Sequence, residues 1–105
     1  MGYGYAVVLV TTPAGQGGEI ARSIVERRLA ACVNVVSGVK SLYLWKGALE
    51  SDGEDLLIIK TRIDKLEKLI DEVKEMHPYE VPEIIALPII AGNNDYLKWI
   101  DEEVR

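Results

Sequence analysis

Cys32-Val-Asn-Val-Val-Ser-Gly-Val-Lys-Ser-Leu-Tyr-Leu-Trp45 leads through Lys46-Gly47-Ala48 into Leu49-Glu-Ser-Asp-Gly-Glu-Asp-Leu-Leu-Ile-Ile-Lys60. Both arms are rich in β-branched and aromatic residues and a glycine turn joins them, so they predict a β-hairpin. Ser37-Gly38 interrupts the first arm and predicts a bulge or bend, and Ser51-Asp52-Gly53 is expected to loosen the second. The arms are unusually long. Strands of about five or six residues suffice to cover two helices. The surplus carries Leu42, Tyr43, Leu44 and Trp45, an aggregation hazard unless another copy of the chain covers it. Self-association is the expectation. The alternative is that these side chains pack under the last helix of their own chain.

Outward from the hairpin, Tyr5 to Thr12 is an apolar run without alternation, as in a central strand covered on both faces or lying at an interface. From Glu19 to Ala31, Ile20, Ile24, Val25 and Leu29 recur at helical spacing opposite Arg22, Glu26 and Arg27. After the hairpin, Asp64 with Glu67 three residues on predicts a capped helix with an inward stripe of Leu66, Leu69, Ile70, Val73 and Met76. Ile84 to Ile90 reads as a strand, and Pro88 within it, lacking an N–H, places it at an edge or a bulge. Asn93-Asn94-Asp95 supplies a cap for a last helix with Leu97, Ile100 and Val104 inward. The order βαββαβ with an extra C-terminal helix predicts an α+β, ferredoxin-like sandwich with an antiparallel sheet, a single domain over residues 1–105.

Net charge is −5 and acidic and basic residues are interspersed, so no basic stripe is present to neutralise phosphates and nucleic acid is not an expected partner. The single cysteine, Cys32, permits no intrachain disulfide and fits a reducing compartment. The apolar runs are too short to span a membrane and no signal-like segment is visible, so a soluble cytoplasmic protein is expected.

His77-Pro-Tyr-Glu-Val-Pro-Glu83 holds the only histidine between two prolines. Each proline drives the residue before it out of the helical region, so His77 must end a helix and Val81 must be extended. His77 with Glu80 and Glu83 is a candidate proton or metal site; equally, its ring is placed to cap backbone carbonyls at the helix end. Gly15-Gln16-Gly17-Gly18 lies between strand and helix, where a phosphate can bind, but it matches no nucleotide-binding motif and reads as a turn. Cys32 is a thiolate ligand or a small core residue. Glu54 and Lys60 share one face of their strand but stand ~20 Å apart, too far to pair. No nucleophile and base signature and no zinc-enzyme motif is readable, so the chain is not expected to be an enzyme.

Leu29-Ala-Ala-Cys-Val-Asn34, Ser41-Leu-Tyr-Leu-Trp-Lys-Gly47 with Glu50, Ile59-Lys60-Thr61, His77-Pro-Tyr-Glu-Val-Pro-Glu-Ile84 and Tyr96-Leu-Lys-Trp99 resemble, in order, the CutA family of divalent-cation tolerance proteins. The resemblance implies a ferredoxin-like protomer in a homotrimer, similar in architecture to PII signalling proteins, whose hairpins extend sheets across subunits. It implies binding of divalent metal ions, Cu(II) among them, with no obligatory cofactor, and an inter-subunit pocket of Cys32, Trp45, Glu54, Lys60, His77, Tyr79 and Trp99. Copper ligands proposed in some members fall here on Val10 and Met76, leaving His77, with Met76 as a soft ligand. A PII-like module binding a small molecule between subunits and a purely structural trimer are the competing readings.

Overall fold

The computed structural model describes residues 4–105. Strands β1 (Tyr5–Pro13), β2 (Cys32–Trp45), β3 (Ala48–Arg62) and β4 (Ile84–Ile89) form one antiparallel sheet in the order β2-β3-β1-β4. Helix α1 (Gly17–Glu26) connects β1 to β2, α2 (Leu66–Met76) connects β3 to β4, and α3 (Asn94–Glu103) follows. This is the expected α+β, ferredoxin-like arrangement with a terminal helix.

α1 and α2 lie on one face of the sheet. There Val8, Val10, Leu57 and Ile59 meet Ile20, Ile24, Leu69 and Val73 in the main core, all buried. On β1 burial alternates strictly, with Ala6, Val8, Val10 and Thr12 buried. The run without alternation thus has one face covered within the chain, while Val7, Leu9 and Thr11 turn to the other. On that second face β3 presents Glu54, Leu56, Ile58 and Lys60, and β4 adds Ile85 and Leu87, both exposed. α3 covers only one end of it, where Leu97, Ile100 and Val104 pack with Tyr5 and Ala31.

The hairpin is as long as its sequence implies. The register shifts between Val36 and Val39, at the Ser37-Gly38 bulge, and Gly38 holds φ 77°. Lys46 and Gly47 hold φ 52° and 83°, the left-handed pair that a two-residue hairpin turn requires. β3 is continuous through Ser51-Asp52-Gly53. Its far end projects, making the molecule 46 Å long against 25 and 23 Å.

Three local expectations are corrected. α1 ends at Glu26, not Ala31, because Arg28 turns to φ 61° and the Arg28 and Leu29 N–H groups close back on Val25 and Ile24. Leu29 is still buried, but from a loop held by the Thr61 hydroxyl, which donates to its carbonyl at 2.7 Å. Val25 is left exposed. Asp64 does not cap α2: residues Ile63–Lys65 form a 3-10 turn, and its carboxylate pairs with Arg62 at 2.9 Å.

The Gly15-Gln16-Gly17-Gly18 segment is a turn, and its anion is internal. The Gly15 and Gly17 N–H groups donate to Asp55 Oδ2 at 3.0 and 3.1 Å. A Cβ on Gly17 would lie 2.8 Å from the Asp55 Cβ. Asp55 is buried, so removing it leaves two amides short of a charged acceptor. Asp55→Ala is expected to lower the unfolding free energy by about 2 kcal/mol or more, read by urea denaturation at fixed protein concentration.

Candidate functional site

The segment from His77 to Glu83 crosses the sheet where the hairpin departs. His77 is extended at φ −84° and ψ 135°, ending α2 as its following proline demands. Its ring is 7% exposed and engaged at both nitrogens. The Tyr79 N–H donates to Nδ1 at 3.1 Å, so Nδ1 is the acceptor and Nε2 carries the proton. Nε2 then donates to the Thr11 carbonyl at 2.7 Å. The ring therefore caps a carbonyl on β1, not one on its own helix, and clasps the segment to the sheet.

That clasp aims Tyr79 at the base of the hairpin. The two rings lie 4.8 Å apart, and the Tyr79 hydroxyl donates to Glu54 Oε2 at 2.8 Å. Glu54 is 6% exposed. A cleft of about 610 Å³ opens beside this pair, between the hairpin and the crossing segment. Tyr43, Trp45, Glu54, Tyr79, Glu80 and Glu83 line it, with Lys40 the basic side chain among its walls. Glu54 belongs to the sheet face that α1 and α2 leave open, so the cleft opens on that face.

The expected ligand residues are not assembled as a metal cage. Among the described residues no three of His, Cys, Asp or Glu come together as ligands. Glu80 and Glu83 border the cleft, His77 has both nitrogens committed to backbone, and Met76 packs against the main core. A metal bound at His77 would have to displace either Thr11 or Tyr79.

The residues of the implied pocket separate into two groups. Trp45, Glu54, His77 and Tyr79 stand at the hairpin end. Cys32 and Lys60 oppose one another across β2 and β3 at the other end, and Trp99 joins them through Tyr96, whose ring is 5.5 Å away. Lys60 is hydrogen-bonded to Asn34, and Cys32 is half-buried beside Tyr96. Leu56 and Ile58 lie between the groups on β3. No single chain brings the two together.

Two phenols at the hairpin end are held in the neutral form. Tyr43 hydrogen-bonds Asp52, and this bond first of all, with burial and the nearby carboxylates, pushes its phenol up to about 12. Tyr79 is raised from 10.0 by burial and then by its bond to Glu54. Sequence reasoning missed Tyr43 and Asp52 as part of this site; their cross-strand spacing was the available signal, since Tyr43 and Ser41 share a face and Ser41 opposes Asp52. Because the folded state favours the neutral phenol, the Tyr43 contribution to stability is complete below pH 10 and is lost as pH rises through about 12. Tyrosinate absorbance should show late-titrating phenols, Tyr79 among them, and one of these, Tyr43, should move back toward 10 in Asp52→Asn; an unchanged titration in that variant would remove Asp52 as the cause.

The model of the CutA1 divalent ion tolerance protein family matches residues 6–103. A protein named Divalent-cation tolerance protein CutA from Thermus thermophilus is 50% identical over 97 residues, 91% of this chain and 94% of that one. Protein CutA, chloroplastic, from Arabidopsis thaliana is 51% identical over 100 residues, 94% of this chain but 55% of that protein, so the chain spans about half the length of this plant relative. Among solved structures, CutA1 from Oryza sativa superposes with a TM-score of 0.95 at 48% identity, covering 97% of this chain and 94% of that one. The T. thermophilus structure superposes with 0.93 at 48% identity, covering 96% and 99%. On the match along almost its whole length, in sequence and in backbone, the chain belongs to the CutA1 divalent ion tolerance family.

Proposed function

We propose that the protein acts as a homotrimer that binds divalent metal ions such as Cu(II) reversibly, in the service of divalent-cation tolerance, and that it is not an enzyme. The observation that carries this reading is the acidic cleft at the hairpin base, where Glu80 and Glu83 join the buried Glu54. Carboxylate oxygens suit hard and borderline cations, and binding to so open a set is weak and exchangeable. His77 enters the ligand set when it releases the Thr11 carbonyl. Assembly is supported by the open sheet face and by the hairpin, where Leu44 and Leu49 are 73% and 71% exposed. Packing of copies on that face would set the Cys32, Lys60 and Trp99 group of one copy beside the Trp45, Glu54 and Tyr79 group of the next. A reducing, cytoplasmic setting suits the single thiol. Among the described residues no helix is long and apolar enough to cross a membrane.

A second reading is favoured by the cleft's aromatic lining: a regulatory module that takes a small molecule there. A cleft of this size with three rings exceeds what a bare ion fills.

Light scattering at micromolar concentration should give the trimer mass, and a monomer mass would overturn the assembly. Trp45→Ala is expected to cost about 3–5 kcal/mol of stability in the assembled protein, because a neighbour buries the ring. Calorimetric titration with Cu(II) should show binding that weakens at acid pH as the carboxylates protonate, and weakens in Glu80→Gln and Glu83→Gln. Absence of heat in the wild type would overturn the metal reading.

A further inference from the structure

We propose that Arg62 is a shared clasp for α3: its guanidinium is divided between Asp64 and Asp101, and that division sets how tightly the last helix is docked on the sheet. Asp64 thereby works against α3, and neutralising it hands the guanidinium to Asp101.

α3 has little apolar surface to hold it. Leu97, Ile100 and Val104 pack with Tyr5 and Ala31 in a small cluster separate from the main core. Polar ties near the C-terminal end of the helix therefore carry weight. One is Arg28, whose Nη1 reaches Glu103 Oε1 at 2.9 Å, but both side chains are more than a third exposed and such pairs contribute little. The other comes from Tyr5 on β1 and Arg62 on β3, which oppose one another across the sheet. The Tyr5 hydroxyl donates to Asp101 Oδ2 at 2.6 Å, and this bond first of all raises the phenol above 10.0, as an anionic acceptor does. Arg62 Nη1 donates to the Asp101 carbonyl at 3.4 Å, one of the four carbonyls at the end of α3.

Arg62 stops short of completing the carboxylate. Asp101 Oδ1 is buried and has no hydrogen-bond partner among the described residues, and Arg62 Nη1 lies 3.9 Å from it. A charge-assisted bond would be about 1 Å shorter. The cause lies on the other side of the guanidinium. Nε and Nη2 donate to the two oxygens of Asp64 at 2.9 and 3.3 Å, and because the fork is planar that chelation fixes where Nη1 points. Asp64 wins by being two residues away along the chain. Its side chain is 39% exposed and solvated without a partner, whereas the orphaned oxygen of Asp101 is cut off from water. The carboxylate with the lesser need holds the cation. Tyr96 and Trp99 ride on α3 with their rings 5.5 Å apart, and Tyr96 lies against Cys32, so the clasp also sets the position of this aromatic pair. All of these contacts are made within one chain and need no neighbouring copy.

Amide hydrogen exchange of the assembled protein, with α3 read against α1 in the same sample, tests this. Asp64→Asn should slow exchange across α3 about threefold or more, the weight of an ordinary hydrogen bond gained, and leave α1 unchanged. Asp101→Asn should speed α3 about tenfold, and in the double variant the slowing due to Asp64→Asn should vanish. Glu67→Gln removes the next carboxylate along the chain and should leave α3 as it is. Unchanged or faster α3 exchange in Asp64→Asn overturns the proposal. Equal slowing in Glu67→Gln also overturns it, since the effect would then be one of net charge, and so does slowing that survives in the double variant. Should Asp101→Asn fail to fold by circular dichroism, Asp64→Asn and Glu67→Gln decide the matter. If Asp101→Asn dissociates the assembly while Asp64→Asn leaves α3 unchanged, the orphaned oxygen belongs to an interface between copies and the clasp is overturned.

Discussion

β3 runs unbroken from Ala48 to Arg62, and its side chains leave alternately to two faces that meet different surroundings. The period of two is rigid, so a single register against β1 assigns every residue to a face. Asp55, Leu57, Ile59 and Thr61 go under the helices and complete the core and the loop anchors. Glu54, Leu56, Ile58 and Lys60 necessarily go to the face the helices leave open. The core therefore dictates which face carries the candidate site. A one-residue slip of β3 would bury Lys60 under α1 and α2 and expose Ile59, so the stability of the core protects the geometry of the cleft. The same strand carries the hairpin outward, tying its far end to the core through backbone pairing with β2 on both sides of the Ser37-Gly38 bulge.

The crossing segment adds what the sheet alone cannot. Two prolines limit its backbone, and the neutral His77 ring fastens it by one bond accepted and one donated. Tyr79 is thereby delivered to Glu54, and the cleft acquires its third wall. Imidazole here acts as a structural pin whose release is the cost of any metal coordination. The contrast with Asp55 is instructive. Asp55 is also a buried carboxylate on β3, yet two backbone amides satisfy it and it closes a loop. Glu54, one residue earlier and on the opposite face, has one protein donor and an open cavity. Burial alone does not distinguish them; partner count does.

Much of the architecture is legible in local chemistry. Ser37-Gly38 marks the bulge because glycine takes φ 77° without a Cβ penalty, and Pro88 marks β4 as an edge because it lacks a donor. Asn93 caps α3 through its side chain, which accepts from the Asp95 N–H. Where local reading failed, a competing side-chain contact prevailed. The apolar period through Leu29 extends a helix on paper, yet Thr61, 32 positions away, takes the Leu29 carbonyl and the helix ends early. Asp64 offers a cap, and Arg62 takes its carboxylate instead.

The sequence by itself determined the order of elements, the overlong hairpin, the two-proline segment and the likeness to one family, because each depends on residues close along the chain or on blocks in fixed order. The site was legible only as a set of names. Tertiary structure decided that His77 spends both nitrogens on backbone, that Met76 faces the core, that Asp55 fills the glycine turn, and that Cys32, Lys60 and Trp99 stand apart from Trp45, Glu54 and Tyr79. Hydrogen-bond partners and separations between strands are set by register and crossing geometry, which no local stretch of sequence encodes.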